Sequence, residues 1–260
     1  CVAELASFWV GDRLGPIEIA SLRSFLRQGD HVTVYSPAPK EGLPEGVLWR
    51  DASEIMPCDR IIRHRRTQSP ALHSDLFRYQ LLAKTDQIWV DLDMIALRPF
   101  EFGSEWVFGH ETPQEVNGAV LHLPRQSETL RKLLLLTPET RGLPPFLTGM
   151  RRAKYWLRSF GRGLPLDRWP WGGIGPRALT YYLKQTGEMS HALPVSAFYF
   201  VPMQEAARFV EPGGIRRADL PQDAWAVHLW GKQLRQAMAA YHSGQVPRRS
   251  FLDLALREEL

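Results

Sequence analysis

The chain reads as a single mixed α/β domain built on a largely parallel sheet, and three observations predict it. It has 260 residues, 44% of them hydrophobic, enough to bury one sizeable core. Its opening alternates a strand-forming segment, a helical segment and a second strand-forming segment, the β-α-β order that sets two strands parallel. At its centre a helical period runs into a short apolar strand that ends in two acids. The carboxyl ends of strands are where open α/β sheets bind their ligands.

Residues 6–10 (ASFWV) are strand formers and stop at Gly11-Asp12. Ile17, Ala20, Leu22 and Phe25 then recur at helical spacing up to Gln28-Gly29, and residues 31–35 form the next strand. The end of the first strand faces the same crevice as the central acids, where Trp9 can stack on a ligand or pack in the core. Residues 37–57 hold Pro37, Pro39 and Pro44 and read as a surface connection with an edge strand at 47–49. Residues 60–66 pack four arginines around His64, a pattern of a solvated loop or of a segment that approaches phosphates, the loop being favoured.

Ser69 can cap a helix that begins at Pro70, whose fixed φ suits a first helical position. Leu72, Leu76, Tyr79 and Ala83 give that helix a core-facing stripe, with Asp75 at its edge and Arg78 three residues on, within pairing reach. After the polar break KTDQ, residues 88–90 read as a buried strand, and Asp91 and Asp93 follow at its end. Two carboxylates one residue apart repel each other and suit a hard divalent cation beside a nucleotide phosphate. Taken alone, Asp-x-Asp also describes a solvated turn.

Residues 106–109 and 116–123 read as two further strands, with Asn117-Gly118 as either a hairpin turn or a ligand-facing pair. Residues 127–136 make a leucine-faced helix. The stretch 141–168 centres on RRAKYWLRSFGRG and admits three readings. A helix could present Arg151, Lys154, Tyr155, Trp156 and Arg158 to an anionic bilayer or a lipid-linked acceptor. The same residues could line a nucleic-acid groove, or form a lid or solvated helix with Trp156 turned inward. Residues 173–178 fit G-x-G-x-x-A, but Trp169-Pro170-Trp171 is a poor strand, so no dinucleotide fold is expected there. Residues 225–231 read as a last strand leaving the sheet at glycine, with His228 either a packed residue or a ligand for Mn²⁺.

SDLFRY, an apolar strand and DLD together resemble the shared core of sugar-nucleotide-dependent glycosyltransferases with a GT-A fold. The resemblance is to the DxD families, glycosyltransferase family 32-like: Och-type mannosyltransferases, α-1,4-galactosyltransferases and large clostridial glucosylating toxins. It implies one GT-A domain over residues 1–260, with a nucleotide-sugar half at 1–125 and an acceptor-side half at 126–260 that completes the metal site near 228. It implies that Asp91 and Asp93 hold Mn²⁺ or Mg²⁺ against the diphosphate, that Asp75 and Arg78 bind the donor sugar, and that these four are catalytic. Ser74 and Asn117 would line the donor pocket, and the FWVG segment would bring Phe8 and Trp9 to the nucleotide base. A GP-x-x-LT segment, here Gly175, Pro176, Leu179 and Thr180, would sit on the acceptor side with Trp169 and Trp171 as stacking platforms. His228-x-Trp230 keeps the spacing of a late segment that completes the metal site, with Trp230 against the donor. One departure is Thr85-Asp86-Gln87, where those families carry a glycine pair.

The activity so implied is retaining transfer of a hexose from a nucleoside-diphosphate sugar to a glycan or a lipid-linked saccharide, such as a cell-surface polysaccharide or lipopolysaccharide. Galactose, glucose, mannose and N-acetylhexosamine remain open as the sugar. Two other classes are a sugar-nucleotide-binding protein without turnover and, ranked last, a basic nucleic-acid binder. A net charge of +4 and a pI near 9.2 fall far short of a dedicated nucleic-acid binder, so no nucleic-acid partner is expected. Cys1 and Cys58 are the only cysteines, too few for a disulfide framework, and a cytoplasmic protein with peripheral contact at the inner membrane face is expected. The first residue is Cys1 rather than Met, which leaves open whether a few residues or a targeting segment precede it.

Overall fold

The strands β1 (Glu4–Phe8) and β2 (His31–Ser36) bury every residue but their first, the pattern of strands covered on both faces. The computed structural model, which describes residues 2–260, places them side by side and parallel, with Ala6 opposite Thr33. Beside β2 lies β3 (Leu48–Asp51), the edge strand. On the far side of β1 come β4 (Ile88–Val90), β7 (Val116–His122) and β6 (Val107–His110), giving the order β3-β2-β1-β4-β7-β6. The first four run parallel and β7 runs against them, while β6, antiparallel to β7, runs with the first four, so the sheet is mixed and largely parallel, as the sequence predicts. The order runs outward from β1 to β3 and then resumes at β4 on the other side. That reversal opens a crevice at the carboxyl ends of β1 and β4.

Two cores cover the two faces. On one, α1 (Pro16–Arg27) packs with α6 (Gly231–Tyr241) and α7 (Phe251–Leu256), through Ile17, Phe25, Phe209, Leu234 and Phe251. On the other, α2 (Ala71–Lys84), α3 (Glu128–Leu133) and α5 (Pro176–Thr186) bury Leu76, Phe77, Trp89, Leu130 and Leu179. In α2 the expected stripe is only part of what is covered: His73, Phe77, Arg78, Leu81 and Leu82 are buried too, while Ala83 is half-buried. Ser69 does cap, its hydroxyl accepting from the Ala71 amide at 3.2 Å, but the helix begins at Ala71, one residue later than expected.

Three local expectations are corrected. The strand near the C-terminus, β10 (Ala226–His228), does not belong to the main sheet; it pairs antiparallel with β5 (Met94–Ala96). Asn117-Gly118 is no hairpin turn, because both residues lie inside β7 and the turn is closed by the Glu111 amide donating to the Glu115 carbonyl. The basic stretch forms α4 (Gly149–Arg158), in which nothing is buried, so Trp156 is not turned into the core. Two short strands, β8 (Arg141–Gly142) and β9 (Leu164–Pro165), pair at the base of this excursion. Among the described residues no helix is long and apolar enough to cross a membrane.

Candidate active site

Burial of α2 against β4 and β7 forces Arg78 to find partners, because a guanidinium cannot be left unpaired away from water. Its Nη1 donates to the Gly118 carbonyl at 2.6 Å and its Nη2 to Asp91 Oδ1 at 3.1 Å, while Asp75 Oδ1 lies 3.6 Å from Nη2. The guanidinium also sits 4.6 Å from the centre of the Trp89 ring, and the indole N–H donates to Asp91 Oδ1 at 2.7 Å. One buried cation therefore orients two carboxylates. Burial pushes the Asp75 carboxyl up to about 6, against the pull of Arg78 and with help from Asp91, so it titrates close to neutrality.

Two glycines make this pairing possible. A Cβ at Gly118 would lie 2.8 Å from Arg78 Nη1, and one at Gly175 would lie 2.7 Å from Asp75 Oδ2. Gly175 thus lets the start of α5, with Pro176 in its first turn, close over Asp75. Thr180 secures that helix: its hydroxyl accepts from the Val116 amide at 3.1 Å and faces the Val116 carbonyl.

The second half of the site arises where β4 turns into β5. The β10–β5 register sets His228 opposite Met94, one residue after Asp93, and His228 Nε2 comes to 3.2 Å from Asp93 Oδ1. The Gly231 amide donates to Asp93 Oδ2 at 2.8 Å, and the Leu229 amide to the Asp93 carbonyl at 2.8 Å. Trp230 makes the turn into α6 in the left-handed region, at φ 58 and ψ 59, with its indole N–H donating to the Val201 carbonyl. So bulky a residue holds that conformation only when its surroundings impose it. Burial opposes ionisation of Asp93, but His228, the Gly231 amide and Arg235 outweigh it and hold the carboxyl at about 2. Burial likewise disfavours the charged form of His228, yet Asp93 and Asp91 raise its pKa above the ordinary histidine value.

Asp91, Asp93 and His228 each turn one ligand atom to a common point, all within 4.8 Å of one another. Apart from the 3.2 Å approach of His228 Nε2 to Asp93 Oδ1, Asp93 Oδ1 and His228 Nδ1 are buried without a hydrogen-bond partner. Two carboxylate oxygens and an imidazole nitrogen are a donor set that suits Mn²⁺, and a buried oxygen without a hydrogen bond is what a cation would satisfy. The residues present fit the metal implied by the resemblance.

These groups line one open cleft of about 450 Å³ at the sheet's switch point. Of the residues expected at the site, it brings together Asp75, Arg78, Asp91, Asp93, Asn117, Trp169, Trp171, Pro176, His228 and Trp230. Trp169 is buried, its N–H donating to the Leu164 carbonyl, whereas Trp171 is half-exposed and meets the His64 ring edge-on at 5.5 Å. Five expected residues fall outside the lining. Phe8 is buried and stacks on Phe77 at 4.6 Å, Trp9 packs against the α1-side core, Ser74 stays on the helix behind, and Gly175 and Thr180 back the wall. Sequence reasoning missed Glu111, Glu115, Arg177, Lys232 and Gln233, all of which line the cleft. Lys232 carried a usable signal in following Gly231 directly; the two glutamates flank a hairpin and carried none.

No family model and no curated protein matches the chain. Among solved structures it is similar to one described as PaToxG Glycosyltransferase, with 12% identity over 98% of this chain and 82% of that one, at a TM-score of 0.46. A likeness of that size fixes neither activity nor substrate.

Proposed function

We propose that the chain is a metal-dependent glycosyltransferase that moves a hexose from a nucleoside-diphosphate sugar to a hydroxyl of a glycan or lipid-linked saccharide, with retention of configuration. The observation that supports this most is the convergence of Asp91, Asp93 and His228 on one point, beside a buried Asp75–Arg78 pair in the same cleft. Mn²⁺ or Mg²⁺ held by those three ligands would neutralise the diphosphate and make it a better leaving group. The chain's own groups do the rest. Both Nη atoms of Arg78 are engaged by the Gly118 carbonyl and Asp91, so its part is to fix Asp75 and Asp91 at the wall of the cleft. Asp75, largely buried at the cleft wall as a carboxyl titrating near 6, accepts from sugar hydroxyls when ionised. Lys232, in the first turn of α6, adds positive charge near the diphosphate. Asn117, held by Glu111 at 2.8 Å, faces the donor, and Trp171 offers a ring to an acceptor sugar. Phe8, Trp9 and Ser74, which lie outside the cleft lining, are proposed for the base side of the donor site on the resemblance alone.

Alanine at both Asp91 and Asp93 is expected to abolish donor hydrolysis and transfer, by about a thousandfold or more, with the far-ultraviolet spectrum retained. Full activity in that variant, or in excess chelator, sinks the mechanism. Mass spectrometry of an incubation with mixed acceptors separates turnover from mere donor binding, and NMR of the first-formed anomer checks retention.

A further inference from the structure

The surplus positive charge of this protein is concentrated in one place. Six of its 32 lysines and arginines, and none of its 28 acids, lie between residues 140 and 166, so that segment carries +6. With a net +4 for the whole chain, everything else together carries −2. The charge sits on and around α4, which rides on the β8–β9 pair and buries no side chain. Met150, Ala153 and Leu157 share one side of that helix at i, i+3 and i+7, and Phe160 follows just past its end at φ +51. Met150, Leu157 and Phe160 are 90%, 74% and 91% exposed, and Trp156 is half-exposed. Arg151, Lys154 and Arg158 recur at the same spacing alongside, with Arg152, Arg141 and Arg162 at the margins. An apolar stripe flanked by a row of cations matches a surface that offers both an apolar interior and anionic groups.

We propose that α4 is a docking surface for an anionic lipid bilayer, with Met150, Leu157 and Phe160 entering the acyl boundary and the arginines and Lys154 resting among phosphate headgroups. The charge of the excursion complements an anionic surface, and the apolar stripe selects a bilayer over a nucleic acid, whose phosphates offer nothing to methionine or leucine side chains. Tyr155 of α4 shares a groove with Arg65, Arg66, Trp169 and Trp171, and the two tryptophans also line the cleft. Docking through α4 therefore sets the acceptor side of the cleft beside the membrane. This orientation rests on the glycosyltransferase reading; the docking itself does not.

The test is co-sedimentation of the purified chain, without donor or acceptor, with vesicles of phosphatidylcholine alone and of phosphatidylcholine mixed with phosphatidylglycerol. Binding is expected only to the anionic vesicles, weakening as salt rises. Each of Arg151→Gln, Lys154→Gln and Arg158→Gln is expected to lower vesicle affinity roughly fivefold. The triple variant Met150→Ser/Leu157→Ser/Phe160→Ser is expected to lose binding while keeping its circular dichroism and, in an assay with a soluble acceptor, its turnover. Equal binding to both kinds of vesicle, binding to neither, or a triple variant that binds like wild type overturns the proposal. So does retention on single-stranded RNA, or dimerisation abolished by the triple variant, where vesicle binding is absent.

Discussion

The corner that holds Asp93 and the helix α4 are opposites. Asp93 is gripped by the Gly231 amide, by His228 and by the pairing of β5 with β10, and every partner is itself buried or part of a ladder. In α4 no side chain is buried, and the helix is joined to the body through a two-stranded base. The contrast separates two ways of building function. In the corner, geometry is imposed by packing, so any change is felt as strain or as an unpaired charge. On the helix, periodicity and charge matter and geometry is loosely held, so substitutions alter what the surface binds and leave stability almost untouched.

The largest effect that sharpens this contrast is expected at Arg78. Arg78→Leu strands Asp75 and Asp91 without their shared cation, which costs about 3–5 kcal/mol, read as a drop in the urea midpoint. Next comes Gly175→Ala: the added methyl would meet Asp75 Oδ2 at 2.7 Å, so either α5 or the carboxylate moves, at about 1–3 kcal/mol. Donor affinity measured by calorimetry should fall with it.

A pH dependence belongs to the same buried side. His73 is fully buried, its Nδ1 accepting from the Ile62 amide at 3.2 Å, and burial pushes its pKa down from 6.5 to about 4. The unfolded chain therefore takes up the proton first as pH falls. The contribution of the neutral ring is full above pH 6.5 and is lost by about pH 4, on the order of 3 kcal/mol. Urea midpoints measured across that window should show this slope, and His73→Gln should remove it. At the other end of the scale, Leu157→Ser on α4 is expected to shift stability by no more than about 0.5 kcal/mol. A large loss there would place α4 among the packed elements and erase the contrast.

The sequence disclosed what is local. The α2 period, the strand at Ile88–Val90 and the two acids after it stand within two dozen residues, and each announces itself by spacing. The first strand was legible in kind but not in bounds, since its strand formers run on to Trp9 and Val10 after the ladder has ended at Phe8. What escaped is non-local. β5 and β10 have three residues each, too few to show a period, and their register joins residues at least 130 positions apart in the chain. His228 was therefore visible only as one of two things, a packed residue or a ligand, while the Gly231 amide that fixes Asp93 carried no sequence signal. Trp156 misled in the other direction: aromatic residues at helical spacing usually point inward, and here the helix has no interior to face.

The central claim is that Asp91, Asp93 and His228 form a metal site tied to nucleotide binding, and Mn²⁺ binding tests it most directly. Loss of the free-ion paramagnetic resonance signal, followed as the chain is titrated with Mn²⁺ in the presence of nucleoside diphosphates, should report one ion per chain. The ring of His228 must be neutral to bind, and its neighbours raise its pKa, so affinity should weaken as pH falls through and below that raised value. Asp91→Asn/Asp93→Asn should abolish the binding at every pH. An ion that binds the double variant as tightly as the wild type, or no binding with any nucleoside diphosphate present, would contradict the account.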